Sequence, residues 1–445
     1  MAVRCGVFHR LRVTSQAIAY HGCDAIGIMR GMNEVDALIV GGGLVGASLA
    51  IALSESCAAE ANLRVALVES VSLQADPGRP ALPSHDERNL ALARASVNGL
   101  TTLGVWPHIA SRATPIRGVR VTRKGEFGVA RFDAAAHGVD AFGATLPASE
   151  LGRGLLLRLA ECARLTRFAP ATLTSLDFRD DAATAVLNTP AGIEQVRARL
   201  VVGADGTASF VRAAMGVGSD DVDYAQTAFV CTAAPQRAME GIAHERFTAS
   251  GPVAILPLSE RRCGVVLTVP GAEAAMVAAL DDAGFIDRLH EAFGYRLGRF
   301  SRLGKRVSYP LRRMVAQRIV APRAALVGNA AQTLHPIGAQ GFNLGLRDAL
   351  TLAEMLIDQA RLGGDPGASD LLTAYAERRR ADRDGTAAFS DGLVRWTGNE
   401  ALPLKLLRSI GLVALDRIGP LQEVFARRGM GFRGGAPRLA LGDPR

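Results

Sequence analysis

Six residues near the start of the chain constrain its fold more than any others. Gly41-Gly42-Gly43-Leu44-Val45-Gly46 follows an apolar run, Val35 to Val40, that has the length and content of a buried strand. Ala47 to Leu53 then reads as a helix. Arg64 to Val68 reads as a second strand ending on Glu69, twenty-three residues beyond Gly46. Strand, glycine turn, helix, strand and acid in this order spell a dinucleotide-binding unit. Gly41 permits the tight turn, Gly43 lets backbone amides approach a pyrophosphate, and Gly46 lets the helix pack close to the sheet. The helix N-terminus then turns its partial positive charge toward the phosphates. Glu69 stands where ribose hydroxyls donate, which favours an adenosine ribose without a 2′-phosphate, as in FAD or NAD. The same spelling recurs at Gly429-Met430-Gly431-Phe432-Arg433-Gly434. There it follows Arg427-Arg428 instead of a strand and runs into Gly435-Ala436-Pro437 instead of a helix. That copy lacks the context that gives the first its meaning.

Composition narrows the remaining classes. The 445 residues are 49% hydrophobic and 21% charged, enough to bury a large core and more than one domain. The net charge of +8 comes from 51 basic and 43 acidic residues, but only Lys124, Lys305 and Lys405 are lysines. Aromatics are 5% and no basic run is interleaved with them, so nucleic acid is not an expected partner. The six cysteines never approach within eighteen residues of each other, which fits neither a zinc site nor a disulfide scaffold and suits a reducing cytoplasm. The histidines are also scattered, and no metal site is expected. Ala37 to Ser54 is an uncharged run of eighteen, but three glycines divide it into strand and helix and break the case for a membrane span. Before Val35 lies a basic arm with Arg4, Arg10, Arg12 and Arg30. It has no apolar core of signal length, and Met29 and Met32 close to the first strand make a misassigned start codon the favoured explanation.

Two later segments add to the fingerprint. Leu200 to Arg212 is a strand that breaks into Gly203-Ala204-Asp205-Gly206 before a helix. Read alone, Asp205 fits a helix cap as well as a ligand contact. Ala324 to Asp348 joins a strand to a helix, beginning near Phe342, through a loop in which Gly338, Gly341 and Gly345 free the backbone to approach something flat or anionic.

In this order and at these spacings, the three segments resemble the FAD-dependent aromatic hydroxylases of the para-hydroxybenzoate hydroxylase type. The run Gly328 to Asp348 is further similar to the ubiquinone-biosynthesis hydroxylases, in the 2-polyprenyl-6-methoxyphenol hydroxylase branch. So are Tyr224-Ala225-Gln226, His244 to Pro252, Leu256-Pro257 and Tyr309-Pro310-Leu311. The similarity spans about Val35 to Gly431. It implies that Gly41, Gly43, Gly46 and Glu69 hold the ADP part and that Arg88 contacts FAD. It also implies that Asp205 and Gly206 lie along FAD, and that Asn329, Pro336, Gly341, Phe342 and Asn343 frame the flavin. Two departures stand out. Asn329 replaces the aspartate of the wider flavin family, as is common in the ubiquinone branch, and Gly338-Ala339 reverses the expected Ala-Gly order. His335, beside Pro336, fits a loop-shaping role better than acid–base chemistry, and no catalytic residue is named.

The expected fold class is α/β: an interrupted Rossmann-like FAD-binding domain, a β-sheet substrate domain and a C-terminal helical segment. The arm covers 1–34. The FAD-binding domain takes 35–114, 148–215 and 306–385, the substrate sheet 115–147 and 216–305, and the helical segment 386–445. Ser369 to Arg383 reads as a charged helix. In Ala401 to Arg428, Leu404, Leu407, Ile410, Val413, Leu415 and Ile418 recur near helical spacing, with Lys405, Arg408 and Arg417 between them. That pattern suits a helix pair packed on the body, or a surface for a membrane or partner protein.

The resemblance implies a monooxygenase in which NAD(P)H and O2 are co-substrates, FAD is bound, and a flavin peroxide hydroxylates a polyprenylated methoxyphenol in ubiquinone biosynthesis. It further implies a cytoplasmic protein, peripheral at the inner membrane face and in contact with other proteins of the pathway. The alternatives are a sibling hydroxylase of other regiochemistry, a flavin-dependent prenyl-lipid reductase, and a non-catalytic FAD-binding scaffold.

Overall fold

The apolar run ahead of the first motif becomes a central strand. In the computed structural model, which describes residues 33–56, 61–73, 88–335, 337–397, 402–432 and 435–442, Asn33–Val40 is buried over its last six residues. It pairs in parallel with Val65–Val68 on one side and Gly192–Gly203 on the other. Parallel strands covered on both faces need continuous apolar sequence, and Ala37-Leu38-Ile39-Val40 supplies it. Ala324–Leu326 extends the parallel set past Gly192–Gly203, and Thr166–Phe168 extends it past Val65–Val68. Thr172–Phe178 and Ala183–Thr189 add an antiparallel extension to the far end of Gly192–Gly203. Helices Leu44–Ile51, Ala148–Glu161 and Gln340–Arg361 contribute to one large core with this sheet. The basic arm and Pro336 lie outside the described residues.

The second sheet has nine strands, with Ser219–Pro235 and Cys263–Pro270 near its centre and Ile242–Thr248, Gly118–Arg123 and Val129–Asp133 toward one edge. One face carries Phe229, Cys231, Val253, Ile255, Val265 and Leu267, sealed beneath helices Ala274–Ala279 and Asp282–Phe293. Strand geometry sends the alternate residues to the opposite face, which looks toward the first sheet. Val307–Ala316 pairs with Ser219–Pro235 and so belongs to this sheet, not to the FAD-binding part in which 306–385 had been expected. Its pairing partner begins some ninety residues earlier, a long-range match invisible to local pattern. A three-stranded sheet, Asn89–Ala93 with Thr114–Pro115 and Gly143–Pro147, lies between the two large ones.

Ser369–Thr397 is a single helix far longer than its charged first half suggested. Two more helices, Leu402–Arg417 and Gly419–Gly429, make a C-terminal hairpin. The second glycine-rich spelling falls at the end of that hairpin: Gly429 is its last helical residue and Gly431 has φ +86°. Among the described residues no helix is long and apolar enough to cross a membrane.

Candidate functional site

The carboxyl ends of four parallel strands converge on one edge, where α/β sheets present their ligand crevice. Backbone bonds lock the ends together: Gly41 N–H donates to Val68 O (2.9 Å), Ala204 N–H to Val40 O (2.8 Å) and Val327 N–H to Gly203 O (3.0 Å). Gly41 has φ +102°, and a Cβ there would lie 2.5 Å from Ala204 O. A Cβ on Gly46 would lie 1.9 Å from Gly41 O, so the helix rests on the turn with no room for a methyl group. Gly43 caps Leu44–Ile51 without a side-chain bond, which leaves the first-turn amides open. Glu69 Oε2 accepts from Gly42 N–H at 2.7 Å, and Oε1 accepts from the Ser70 hydroxyl (2.8 Å) and Val71 N–H (3.3 Å). The acid therefore braces the glycine loop from the neighbouring strand.

The second segment joins the same edge. Asp205 Oδ1 accepts from the Ser209 hydroxyl at 2.5 Å and Oδ2 from Val211 N–H at 3.1 Å, while Ser209 caps Phe210–Ala214. Asp205 thus serves the helix start, one of its two sequence readings. Gly206 has φ +82° and open space where a Cβ would be. In the third segment Gly328 has φ +60° and packs against Val45, and a Cβ on Gly345 would lie 2.9 Å from Gly328 Cα. Asn329 is exposed and Phe342 half-buried. Gly341 has an ordinary φ and nothing within 4 Å of its Cβ position, so neither conformation nor packing demands glycine there. A flat ligand close to the backbone is a reason that would call for glycine there.

Asn343, expected to frame the flavin, turns its side chain into the protein. It is buried, and its amide is fully engaged: Oδ1 accepts from Ala93 N–H (2.8 Å) and the Ser96 hydroxyl (2.7 Å), while Nδ2 donates to Ala91 O (2.8 Å). It clamps the start of Gln340–Arg361 to Asn89–Ala93, the strand that follows Arg88. The Arg88 guanidinium lies over the Tyr309 ring, 5.2 Å from its centre, which joins the expected FAD-contacting arginine to the substrate sheet.

Beneath the third segment is a set of buried charges, shared between the helix that carries Asp348 and the charged helix expected over Ser369 to Arg383. Asp348, fully buried, accepts from Gly328 N–H (3.2 Å), Gln332 Nε2 (2.5 Å) and Arg379 Nε (2.8 Å). Asp382 accepts from Arg347 Nε (2.7 Å) and Arg379 Nη2 (2.8 Å). Burial opposes the Asp382 charge, but Arg347 and Arg379 more than offset it and hold the carboxyl well below its usual range. The signal lay in the alternation of Arg379 and Arg383 with Asp382, which places them on one helical side, but only packing reveals which side faces in.

The open face of the second sheet meets these elements directly. His335 Nε2 lies 3.4 Å from Gln226 Oε1, its Nδ1 accepts from Ile337 N–H (3.3 Å), and its ring stands edge-on to Tyr224. Burial lowers its pKa to about 4, so the ring is a neutral strut that shapes the loop, as its neighbourhood in sequence indicated. A Cβ on Gly264 would lie 2.7 Å from Asn89 Nδ2. Gln226, Gly264 and Tyr309, all on the open face, thus touch the segments that carry His335, Asn89 and Arg88.

A family described as FAD binding domain matches residues 34–389. Ubiquinone hydroxylase UbiL of Rhodospirillum rubrum is 38% identical over 417 residues, covering 92% of this chain and 93% of that protein. The chain belongs to this family of flavin monooxygenases. The monooxygenase is also 33% identical over 397 residues to 3-demethoxyubiquinol 3-hydroxylase of Escherichia coli, covering 88% of this chain and 98% of the relative. Its fold matches that of p-nitrophenol 4-monooxygenase PnpA from Pseudomonas putida with a TM-score of 0.72 at 20% identity, over 90% and 100% of the two chains. The glycine cradle, the open first-turn amides and the bare backbone at Gly206 and Gly341 fit FAD. The monooxygenase is therefore FAD-dependent, and NAD(P)H and O2 are the usual co-substrates of its family.

Proposed function

We propose that this monooxygenase hydroxylates the aromatic ring of a polyprenylated phenol in ubiquinone biosynthesis. The observation that carries the reading is the pairing of two surfaces. An open sheet face built largely of small and apolar side chains, including Ala228, Ala254, Leu256 and Val266, fronts the cofactor loops. Bound FAD supplies the redox and oxygen chemistry. The chain supplies the rest. Gly41, Gly43 and Gly46 admit the pyrophosphate, Glu69 takes the ribose, Arg88 and Asn329 reach polar parts of FAD, and Gly206 and Gly341 let it lie against the backbone. Asp205, Asn343 and Asp348 act through the segments they hold. The apolar wall orients the ring and excludes water, which suits transfer of oxygen to an electron-rich phenol.

The C-terminal hairpin supports a peripheral site of action at the inner membrane face of the cytoplasm. Arg408 is buried against Glu126 at 2.8 Å, while Leu406, Leu407, Ile410, Val413, Ile418 and Leu421 face outward. Of the two readings of that apolar stripe, the exposure of these side chains favours the surface, with Arg417, Arg427 and Arg428 also exposed nearby. A prenyl-chain substrate resides in lipid, and such a surface suits anionic bilayers.

Oxygen uptake with FAD, NADPH and a short-chain prenylated methoxyphenol, read with product mass, tests the activity. Substrate plus one oxygen atom is the expected product. Flavin without substrate-dependent oxygen use, with either NADH or NADPH, would move the assignment to a reductase or a scaffold.

A further inference from the structure

Ile242–Thr248 places its residues alternately on two very different surfaces. His244, paired in register with Ile255, turns to the helix-covered side, where its ring meets Phe293 edge-on at 5.7 Å. Burial, then Arg120 and Arg296, lower its pKa to about 4, so it serves that core uncharged. Glu245 is paired with Ala254 and Val121, and through Ala254 with Val266. That row lies on the open face, the one whose Gln226, Gly264 and Tyr309 touch the cofactor loops. Two strand spacings, roughly 10 Å, separate Ile242–Thr248 from the strand that carries Gly264. Glu245 is half-buried, and no described residue gives it a hydrogen bond or an ion pair. Its flanking partners on that face are Val121 and Ala254, with Ala243 and Phe247 along its own strand. Most ionisable groups around the same face have other partners, while Arg313, four residues beyond Tyr309 on Val307–Ala316, has a buried Nε with none. Arg123 and Arg408 pair with Glu126, Arg88 lies over Tyr309, and His335 meets Gln226.

A carboxyl with no protein partner, on the wall where a phenol must sit, is a costly feature for a core and a useful one for a site. We propose that Glu245 is the acid–base group of this enzyme, taking the proton of the substrate's ring hydroxyl. The phenol O–H bond breaks, an O–H bond forms on Glu245, and the electron pair left on the ring oxygen enriches the carbon that receives oxygen. After that transfer the ring carbon sheds its hydrogen as a proton. The ring oxygen takes Glu245's proton back, which restores phenol and carboxylate. Burial raises the Glu245 pKa to about 8. An ordinary phenol ionises near pH 10, so a carboxylate of raised basicity accepts its proton far more readily than an exposed one.

The proposal rests on the ring-hydroxylase reading for its substrate, and its test separates the two. Binding of 2-prenyl-6-methoxyphenol to the oxidised holoenzyme is followed by the flavin absorbance across pH, and product formation over the same range. The wild type should bind the phenol more tightly as pH rises through about 8, where Glu245 becomes the carboxylate that accepts the phenol O–H, with product formation rising over the same limb. Glu245→Gln should keep its FAD, bind the phenol without that pH limb, and slow product formation by at least about 100-fold. Glu245→Asp, which keeps a carboxylate, should retain the pH limb and part of the rate. It also carries the test should the glutamine variant fail to fold. Glu245→Gln with the binding limb intact and a rate within about threefold of wild type would overturn the proposal, as would Glu245→Asp without the limb. A wild type that shows the binding limb but uses no oxygen would sink the hydroxylase reading and leave the proton acceptor in place.

Discussion

At Gly46 a single hydrogen stands where a methyl group would meet Gly41 O at 1.9 Å. Gly46→Ala should therefore cost about 1–3 kcal/mol and release FAD, seen as loss of the flavin absorbance together with a lower Tm. Gly341→Ala is the contrast, because nothing lies within 4 Å of its Cβ position. It should leave stability within about 0.5 kcal/mol while weakening FAD affinity in a fluorescence titration. Two titratable groups set opposite pH trends. His244 has its pKa lowered from 6.5 to about 4, so the unfolded chain binds its proton first. The stability it carries is complete above pH 6.5 and is lost as pH falls toward 4, by up to about 3 kcal/mol. His244→Leu should flatten the urea midpoint against pH between 7 and about 4.5 relative to wild type. Glu245 has its pKa raised from 4.5 to about 8, so the folded chain holds the extra proton and stability falls as pH rises through that window. Glu245→Gln should consequently gain stability at pH 8 relative to pH 5, a gain that a surface glutamate would not give.

Elements show what the sequence could and could not disclose. The glycines of the first motif were legible because steric demand at a turn leaves a mark in residue type: φ +102° at Gly41 and the contact at Gly46 admit nothing larger. Periodicity reads Ser149 to Arg164 as an amphipathic helix and Ala171 to Phe178 and Ala183 to Leu187 as strands, and Ala148–Glu161, Thr172–Phe178 and Ala183–Thr189 lie within a few residues of those ends. The helix expected over Ser369 to Arg383 forms and runs on to Thr397, but the burial of Arg379, Asp382 and Arg383 was not legible, because it depends on a partner helix that supplies Asp348 and Arg347. The role of Asn343 was hidden for a similar reason, since its three hydrogen bonds reach back some 250 residues. Glu245 lies in the run His244 to Pro252, but its side is illegible in sequence, because Ile242–Thr248 is covered on one side and open on the other and register alone tells which. The buried network makes its own prediction. Arg379→Leu strands Asp348 and Asp382 without their shared cation, and removing one partner of such a set costs about 3–5 kcal/mol. Thermal unfolding should show that loss, and FAD retention should fall with it, because Asp348 also holds Gly328 N–H.

On the scale of the molecule, the hairpin Leu402–Gly429 closes the far edge of the second sheet and turns its apolar side outward. Arg131 pairs with Asp416 and Arg408 with Glu126, so polar bonds fasten it to the body and leave Leu407, Ile410 and Val413 outside. A variant with serine at those three positions should keep its FAD and its Tm but lose flotation with anionic vesicles. Raising salt should weaken the wild type's flotation in part, as the arginine contribution is screened. The chain path has a further consequence, for the order of events during synthesis. The floor of the cofactor crevice is laid down by Gly41 and completed only by Gly345, about 300 residues later. At ~5–20 residues per second, a ribosome needs roughly 15–60 seconds to cover that stretch. For about 120 residues of that stretch Gly192–Gly203 has an edge awaiting Ala324–Leu326, and unpaired edges invite the wrong neighbour. Stalled chains ending before Ala324 should bind no FAD, so the vitamin supply of the cell acts on finished polypeptides and cannot rescue those still being made.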